Sequence, residues 1–320
     1  MLAAILKVLT IGGMALGACA GYWLLGLKGP ILTLAVAGGL IAFFALPTSW
    51  TFALAAIGDL GKRQGPHLKP FQMVRLFVFE WYALFILYAF TQAWPGFFVR
   101  KGLPKNHSVG DRLIVLVHGF FCNRGSWIYL KPRLEKLGYA VATIDLEPPF
   151  AGIDALAESF RRTLDGITAR AAPDEIVIVA HSMGGLVTRT CMERYGKGAI
   201  VKLITVATPY EGTAVAYSGA GGNVRDMRPG SKWLRQFSSL GASPVPTVCV
   251  WSRDDNIISP RRSSLLAGVR SILIDDVGHL SMLFSRRLLR VLKEELAAED
   301  AWAGRASTMQ AQPARAANRG

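Results

Sequence analysis

Glu175 to Gly185 reads EIVIVAHSMGG, and this stretch decides the fold. Glu175 to Ala180 is expected to form a buried strand, because Ile176, Val177, Ile178 and Val179 are β-branched and uncharged. Leu186 to Tyr195 follows with a helical pattern. A strand, a tight turn with Ser182 at its apex and a helix make the arrangement that presents a serine as a nucleophile. The turn is sharp, so small residues must flank the serine, and Ala180 and Gly184 stand two before and two after it. Ala180 replaces the usual first glycine of G-x-S-x-G, a small change in bulk. Ser182 would face the positive N-terminus of the following helix. An ordinary strand-to-helix turn fits the same five residues, so the rest of the chain must decide.

A serine hydroxyl needs a general base within hydrogen-bond reach, and the base needs an orienting carboxylate. After such a turn the partners follow in the chain, acid first and then histidine. Of the five histidines, His67, His107, His118, His181 and His279, only His279 comes after Ser182. It stands in DDVGH (275–279), past the last predicted strand and before the last predicted helix. The acid should end the preceding strand, where Asp254 and Asp255 compete. Asp255 is followed by Asn256, Ile257 and Ile258 and is the choice, with Asp254 as fallback. Asp275 and Asp276 stand too near His279 in sequence and read as solvated or loop-capping. Upstream, the apolar strand Arg112 to Val117 runs into His118-Gly119-Phe120. That loop would supply the Phe120 N–H to an oxyanion, with the Met183 N–H as the second donor. His118 reads as a structural loop residue.

Predicted strands at 112–117, 138–146, 175–180, 200–207, 246–251 and 270–274 alternate with helices at 127–137, 153–170, 186–195 and 281–298. This pattern predicts a mostly parallel sheet of about six strands with helices on both faces. HGF (118–120), AHSMGG (180–185), ATPYEGT (207–213), DMRPGS (226–231), DDNIISP (254–260) and DVGH (276–279) together resemble a bacterial lipase of the α/β-hydrolase superfamily. The resemblance covers residues 112–297. It implies hydrolysis of acylglycerols or other lipid esters through an acyl-enzyme, with no cofactor and no metal. The insertion 210–245 is expected to act as a lid, with Trp233, Leu234 and Phe237 over an acyl site.

The first hundred residues are unlike the rest and depart from a freely secreted lipase. Val8 to Leu27 carries no charge, Ile31 to Ile57 is apolar around Pro47, and Leu76 to Trp94 is apolar except for Glu80. Three membrane-embedded segments are expected in 1–100, then a linker over 101–111, a catalytic domain over 112–298 and a disordered basic tail over 299–320. Trp81, Tyr82, Tyr88 and Trp94 read as interfacial belt residues, and Arg75 as a partner of Glu80 or of headgroups. The net charge is +14, but residues 1–105 hold nine Lys/Arg against Asp59 and Glu80, and the tail adds Arg305, Arg315 and Arg319. Basic residues flanking apolar runs suit anionic headgroups; no nucleic-acid module is present. Cys19, Cys122, Cys191 and Cys249 have no ligand-like spacing and are expected as free thiols. The expected partners are a lipid or other ester and the bilayer. A bacterial inner membrane is the expected location. The flanking positive charges are balanced five against five; an inside N-terminus and three crossings put the domain on the outer, periplasmic side. An acyltransferase, thioesterase or amidase would use the same three residues, and a non-catalytic membrane scaffold would lack their chemistry.

Overall fold

The computed structural model describes residues 1–58, 69–102 and 112–297. Residues 103–111 of the expected linker, most of the polar loop before Lys69, and the basic tail lie outside the described residues, as do His67 and His107.

The chain opens with helices α1 (Leu2–Leu25), α2 (Gly29–Phe43), α3 (Ala45–Gly58), α4 (Pro70–Ile86) and the short α5 (Pro95–Phe98). A π-helical turn, Leu87–Thr91, extends α4. Among the described residues three stretches are long and apolar enough to cross a membrane: Leu2–Leu25, Gly29–Ile57 and Pro70–Thr91. The second is broken at Phe44, and Pro47 sits in the first turn of α3, where its missing N–H costs nothing. At 1.5 Å per residue, α1 is about 36 Å long, enough for a bilayer core of about 30 Å. Its far end, where the chain turns into α2, carries Tyr22, Trp23 and Lys28, with the Lys28 ammonium over the Tyr22 ring. Aromatic and basic residues of this kind suit a headgroup layer.

The sheet has six parallel strands, β1 (Leu113–Val117), β2 (Ala140–Ile144), β3 (Ile176–His181), β4 (Ile200–Val206), β5 (Thr247–Trp251) and β6 (Arg270–Leu273), in the order β2-β1-β3-β4-β5-β6. Around it lie α6 (Leu130–Lys136), α7 (Ile153–Ala171), α8 (Met183–Tyr195), α9 (Gly222–Asp226), α10 (Lys232–Ser238) and a last helix, α11, over 286–297. Side chains alternate across a strand, so each central strand feeds two cores. Ile114, Leu116, Val177 and Val179 pack with Leu130 of α6 and with Leu288, Leu292 and Leu296 of α11. Leu113, Val115, Ile176 and Ile178 pack on the other face with Phe160 of α7 and Leu186 of α8. Burial on both faces is why these strands read as unbroken apolar runs. Strand order reverses between β1 and β3, and in open parallel sheets the crevice for a ligand lies outside the strand ends at that point.

Two predicted helices begin later than expected. The helix expected from 281 begins at 286, because Ser281 uses its N–H elsewhere and Ser285 is the cap, its Oγ accepting from the Arg287 N–H at 3.1 Å. The helix expected from Trp127 begins at Leu130, after a 3-10 turn over Arg124–Trp127.

Trp233, Leu234 and Phe237 do not cover the strand ends. Leu234 is buried, Trp233 and Phe237 pack against the α7–α8 core, and the indole of Trp233 donates to Asp154 at 2.7 Å.

The N-terminal helices and the sheet are joined by specific contacts. The Met1 ammonium pairs with Glu147 at 2.6 Å, and Asn256 donates to the Thr51 hydroxyl at 2.7 Å. Three crossings would put Met1 and the sheet on opposite faces of a bilayer. The Met1–Glu147 pair sets the N-terminus against the sheet domain, at the base of the α1–α2 hairpin.

Candidate active site

β3 ends at His181 and α8 begins at Met183, leaving Ser182 alone in the turn at φ 54° and ψ −130°. A non-glycine residue at positive φ costs about 1–3 kcal/mol and persists only when its surroundings hold it. Here the Ser182 N–H donates to Val206 at 2.8 Å. Its carbonyl accepts from the Thr208 hydroxyl at 2.9 Å and from Gly185 at 3.0 Å. Gly184 is required by closeness: a Cβ there would lie 2.6 Å from the His118 carbonyl oxygen and 2.8 Å from that of Val117. Ala180, by contrast, faces the α7–α8 core, where its methyl is packed.

The loop after β1 passes directly over the serine. A Cβ on Gly119 would stand 2.7 Å from Ser182 Cβ and 3.3 Å from its Oγ. Phe120 and Met183 border this point, and their backbone N–H groups take no acceptor among the described residues. His118 is structural, as expected: its Nε2 accepts from the Leu146 N–H at 2.9 Å while Nδ1 lies 2.9 Å from the Gly119 carbonyl oxygen, to which it donates. Burial holds its pKa below the ordinary imidazole value despite the nearby Asp145, so it stays neutral.

His279 Nδ1 stands 2.8 Å from Asp255 Oδ2, and the other oxygen of Asp255 accepts from the Ile257 and Ile258 N–H groups at 2.8 Å each. Asp254 turns away and accepts from the Asp276 N–H at 2.9 Å. The His279 ring lies 4.6 Å from that of His181, the residue before Ser182, and His279 and Ser182 line one cavity. Burial by itself would lower the His279 pKa; the Asp255 carboxylate, by charge and hydrogen bond, and the Glu80 charge outweigh it and raise the imidazole above its ordinary value. His181 is held well below the ordinary value by burial and by the neighbouring His279.

Glu80 was legible only as the lone carboxylate in an apolar run. It is buried, and its two oxygens accept from the Leu280 N–H at 2.7 Å and the Ser281 N–H at 2.9 Å. A Cβ on Gly278 would collide with this carboxylate. Arg75, expected near Glu80, pairs instead with Asp276 at 3.2 Å. Asn256 completes the grip, accepting from the His279 N–H at 3.1 Å. The loop after β1 is held in the same way: Gln92 accepts from the Asn123 N–H through its side chain and from the Asn123 amide through its carbonyl, both at 2.8 Å. Tyr88, expected at a membrane interface, stacks on Phe121 at 5.9 Å. Residues from the N-terminal helices thus fix both loops that flank Ser182.

Above Ser182 and His279 lies a cavity of about 790 Å³. Its walls come largely from α1, α2 and α3, with Val215 contributed by the 210–245 insertion. Among the described residues no group of His, Cys, Asp and Glu is arranged to hold a metal ion.

In fold the chain is an α/β hydrolase, and residues 114–242 match the family model described as "Alpha/beta hydrolase family". Asp255 and His279 lie beyond the matched segment. In sequence the chain is similar to proteins named as a salicylic acid-binding protein and as esterases. It is 35% identical over 146 residues to salicylic acid-binding protein 2 of Nicotiana tabacum, covering 43% of this chain and 55% of that protein. It is 24% identical over 152 residues to methyl jasmonate esterase 1 of Vitis vinifera, covering 45% and 58%. The chain thus spans little more than half the length of these curated relatives. Among solved structures it is similar to the mature form of the Bacillus licheniformis lipase BlEst2, with a TM-score of 0.54 and 15% identity, covering 60% of this chain and 94% of the lipase. Aspergillus fumigatus lipase B gives a TM-score of 0.51 at 15% identity, covering 57% and 52%. At this identity the likeness to both is one of fold.

Proposed function

We propose that this protein is a membrane-anchored serine hydrolase that cleaves carboxylic esters of lipids through an acyl-enzyme. The observation that carries the reading is the strained Ser182 sharing one cavity with a His279 that is itself bonded to Asp255. Ser182 Oγ attacks the ester carbonyl carbon while His279 Nε2 takes its proton. The negative oxygen is received by the N–H groups of Phe120 and Met183. The C–O bond to the alcohol then breaks, and His279 returns the proton to the departing oxygen. Water, losing a proton to His279, attacks the acyl-enzyme; the acid leaves and Ser182 regains its hydrogen. Asp255 keeps the imidazole in the tautomer with Nδ1–H, leaving Nε2 free to accept. Hydrolysis of short p-nitrophenyl esters by the full-length protein, with covalent capture of Ser182 by a fluorophosphonate, tests this reading. No labelling of Ser182 would refute it.

The base works only as neutral imidazole, so kcat/KM should fall as pH drops through the His279 pKa. Because that pKa is raised, the midpoint should lie above about 6.5. The groups facing His279 are Asp255, Glu80 and the neutral His181. Glu80→Gln removes one negative charge and should move the midpoint to lower pH while keeping a hydrogen-bond acceptor. A midpoint that stays in place would contradict this link between α4 and the base.

The anchor in this reading is the α1–α2 hairpin, with Met1 and the sheet on the same side of the bilayer. Protease-sensitive tags at the N- and C-termini should be cleaved from the same face of sealed vesicles. Cleavage from opposite faces would restore a three-crossing arrangement.

A further inference from the structure

We infer that the cavity over Ser182 binds the acyl chain of a membrane lipid ester, and that Gly13 and Gly17 of α1 set the length it accepts. This rests on the assignment of Ser182 as nucleophile and adds the substrate's apolar half.

The first support is where polarity lies. No lysine, arginine, aspartate or glutamate lines the cavity. Ser182, His181 and His279, with the Phe120 N–H, stand at the sheet end, and along the helices the polar side chains in the lining are the uncharged Thr10, Thr51 and Tyr88. Ser182 is buried to 7% exposure, and its hydroxyl has no hydrogen-bond partner among the described residues. A charged headgroup would find no counter-ion here, whereas a methylene chain needs none. At about 790 Å³ the space falls within the range of about 300–1,000 Å³ typical of small-molecule sites.

The second support is length and access. The cavity is lined by α1 residues from Leu6 to Leu25, a rise of about 28 Å at 1.5 Å per residue. The outer surface of the same hairpin is apolar and exposed at Val8, Leu16, Leu24, Ile31 and Leu34. In a bilayer that outer face would meet lipid tails while the opposite face of α1 lines the cavity, so the wall between lipid and cavity would be one helix thick.

The third support is the glycines. Near the hairpin's turn, a Cβ on Gly21 would stand 2.7 Å from Leu32, so glycine there lets the helices close. Gly13 and Gly17 line the cavity, yet a Cβ on either would meet no atom within 4 Å. Helix packing does not explain glycine at these positions, since alanine would fit and favour the helix by about 1 kcal/mol each. At these two cavity-lining positions the absent side chains leave room that a bound chain can occupy.

The test uses full-length protein in detergent micelles with p-nitrophenyl butyrate and palmitate. Gly13→Leu and Gly17→Leu put side chains into the open space and should lower the palmitate-to-butyrate rate ratio by about 10- to 100-fold. Gly12→Leu, also in open space but off the cavity, should leave the ratio as in the wild type. An unchanged ratio in the Gly13 and Gly17 variants overturns the acyl site, including the case where both rates fall together. A wild type that cleaves neither ester and is not labelled at Ser182 overturns the underlying nucleophile assignment instead.

Discussion

Replacement of Ser182 by alanine is expected to reduce kcat for ester hydrolysis by about 10⁴-fold or more. The size follows from the chemistry: without the hydroxyl no acyl-enzyme forms, and only water oriented by the remaining site can attack. The fold should survive. Alanine at φ 54° is strained much as serine is, and the contacts that hold the turn run through the backbone of residue 182, its N–H to Val206 and its carbonyl to Thr208. Circular dichroism and thermal unfolding should therefore match the parent while turnover and fluorophosphonate labelling disappear. Undiminished turnover would mean that another group performs the attack.

The second large effect is expected at Asp255. Asp255→Asn should lower kcat by about 10⁴-fold, because an amide at Oδ2 can present N–H to Nδ1 and favour the tautomer that leaves Nε2 protonated. Its other oxygen holds the Ile257 and Ile258 N–H groups, so the amide is forced to turn its nitrogen toward His279. Asp254→Asn is the matched control. Asp254 accepts from the Asp276 N–H, a bond an amide oxygen can keep, whereas the oxygen 2.8 Å from His279 Nδ1 belongs to Asp255. Rates measured side by side should separate the two neighbours by orders of magnitude. Equal effects would remove the orienting role from Asp255.

The functional sense of the N-terminal region changes with the structure. In sequence it reads as membrane-embedded helices joined by a linker to a catalytic domain. Instead, Glu80 holds the loop of His279, Gln92 holds the loop of Phe120, and α1 to α3 wall the cavity. A cut between the two parts would expose the buried Leu280 and Ser281 N–H groups and remove the cover from the site. In the proposed membrane-anchored reading, the part of the chain that would meet lipid is thus also the part that positions the groups around Ser182.

Local chemistry was enough to read much of this from the chain. A short uncharged run of β-branched residues reads as a buried strand, small residues at Ala180 and Gly184 permit a sharp turn at the serine between them, and His279 is the single histidine in the right order after it. Each inference needs only neighbours in sequence or a rule of chain order. Asp255 over Asp254 was a choice of pattern, and the bond to His279 gives it a geometry. What required tertiary structure was every pairing between distant segments: Glu80 with residues 280 and 281, Arg75 with Asp276 rather than Glu80, Met1 with Glu147, and the cavity wall made by α1 rather than by Trp233 and Phe237. An apolar helix has the same composition whether its face meets a lipid tail or a protein loop. Burial by a partner 200 residues away leaves no periodicity to read, so only the folded arrangement shows which face meets which.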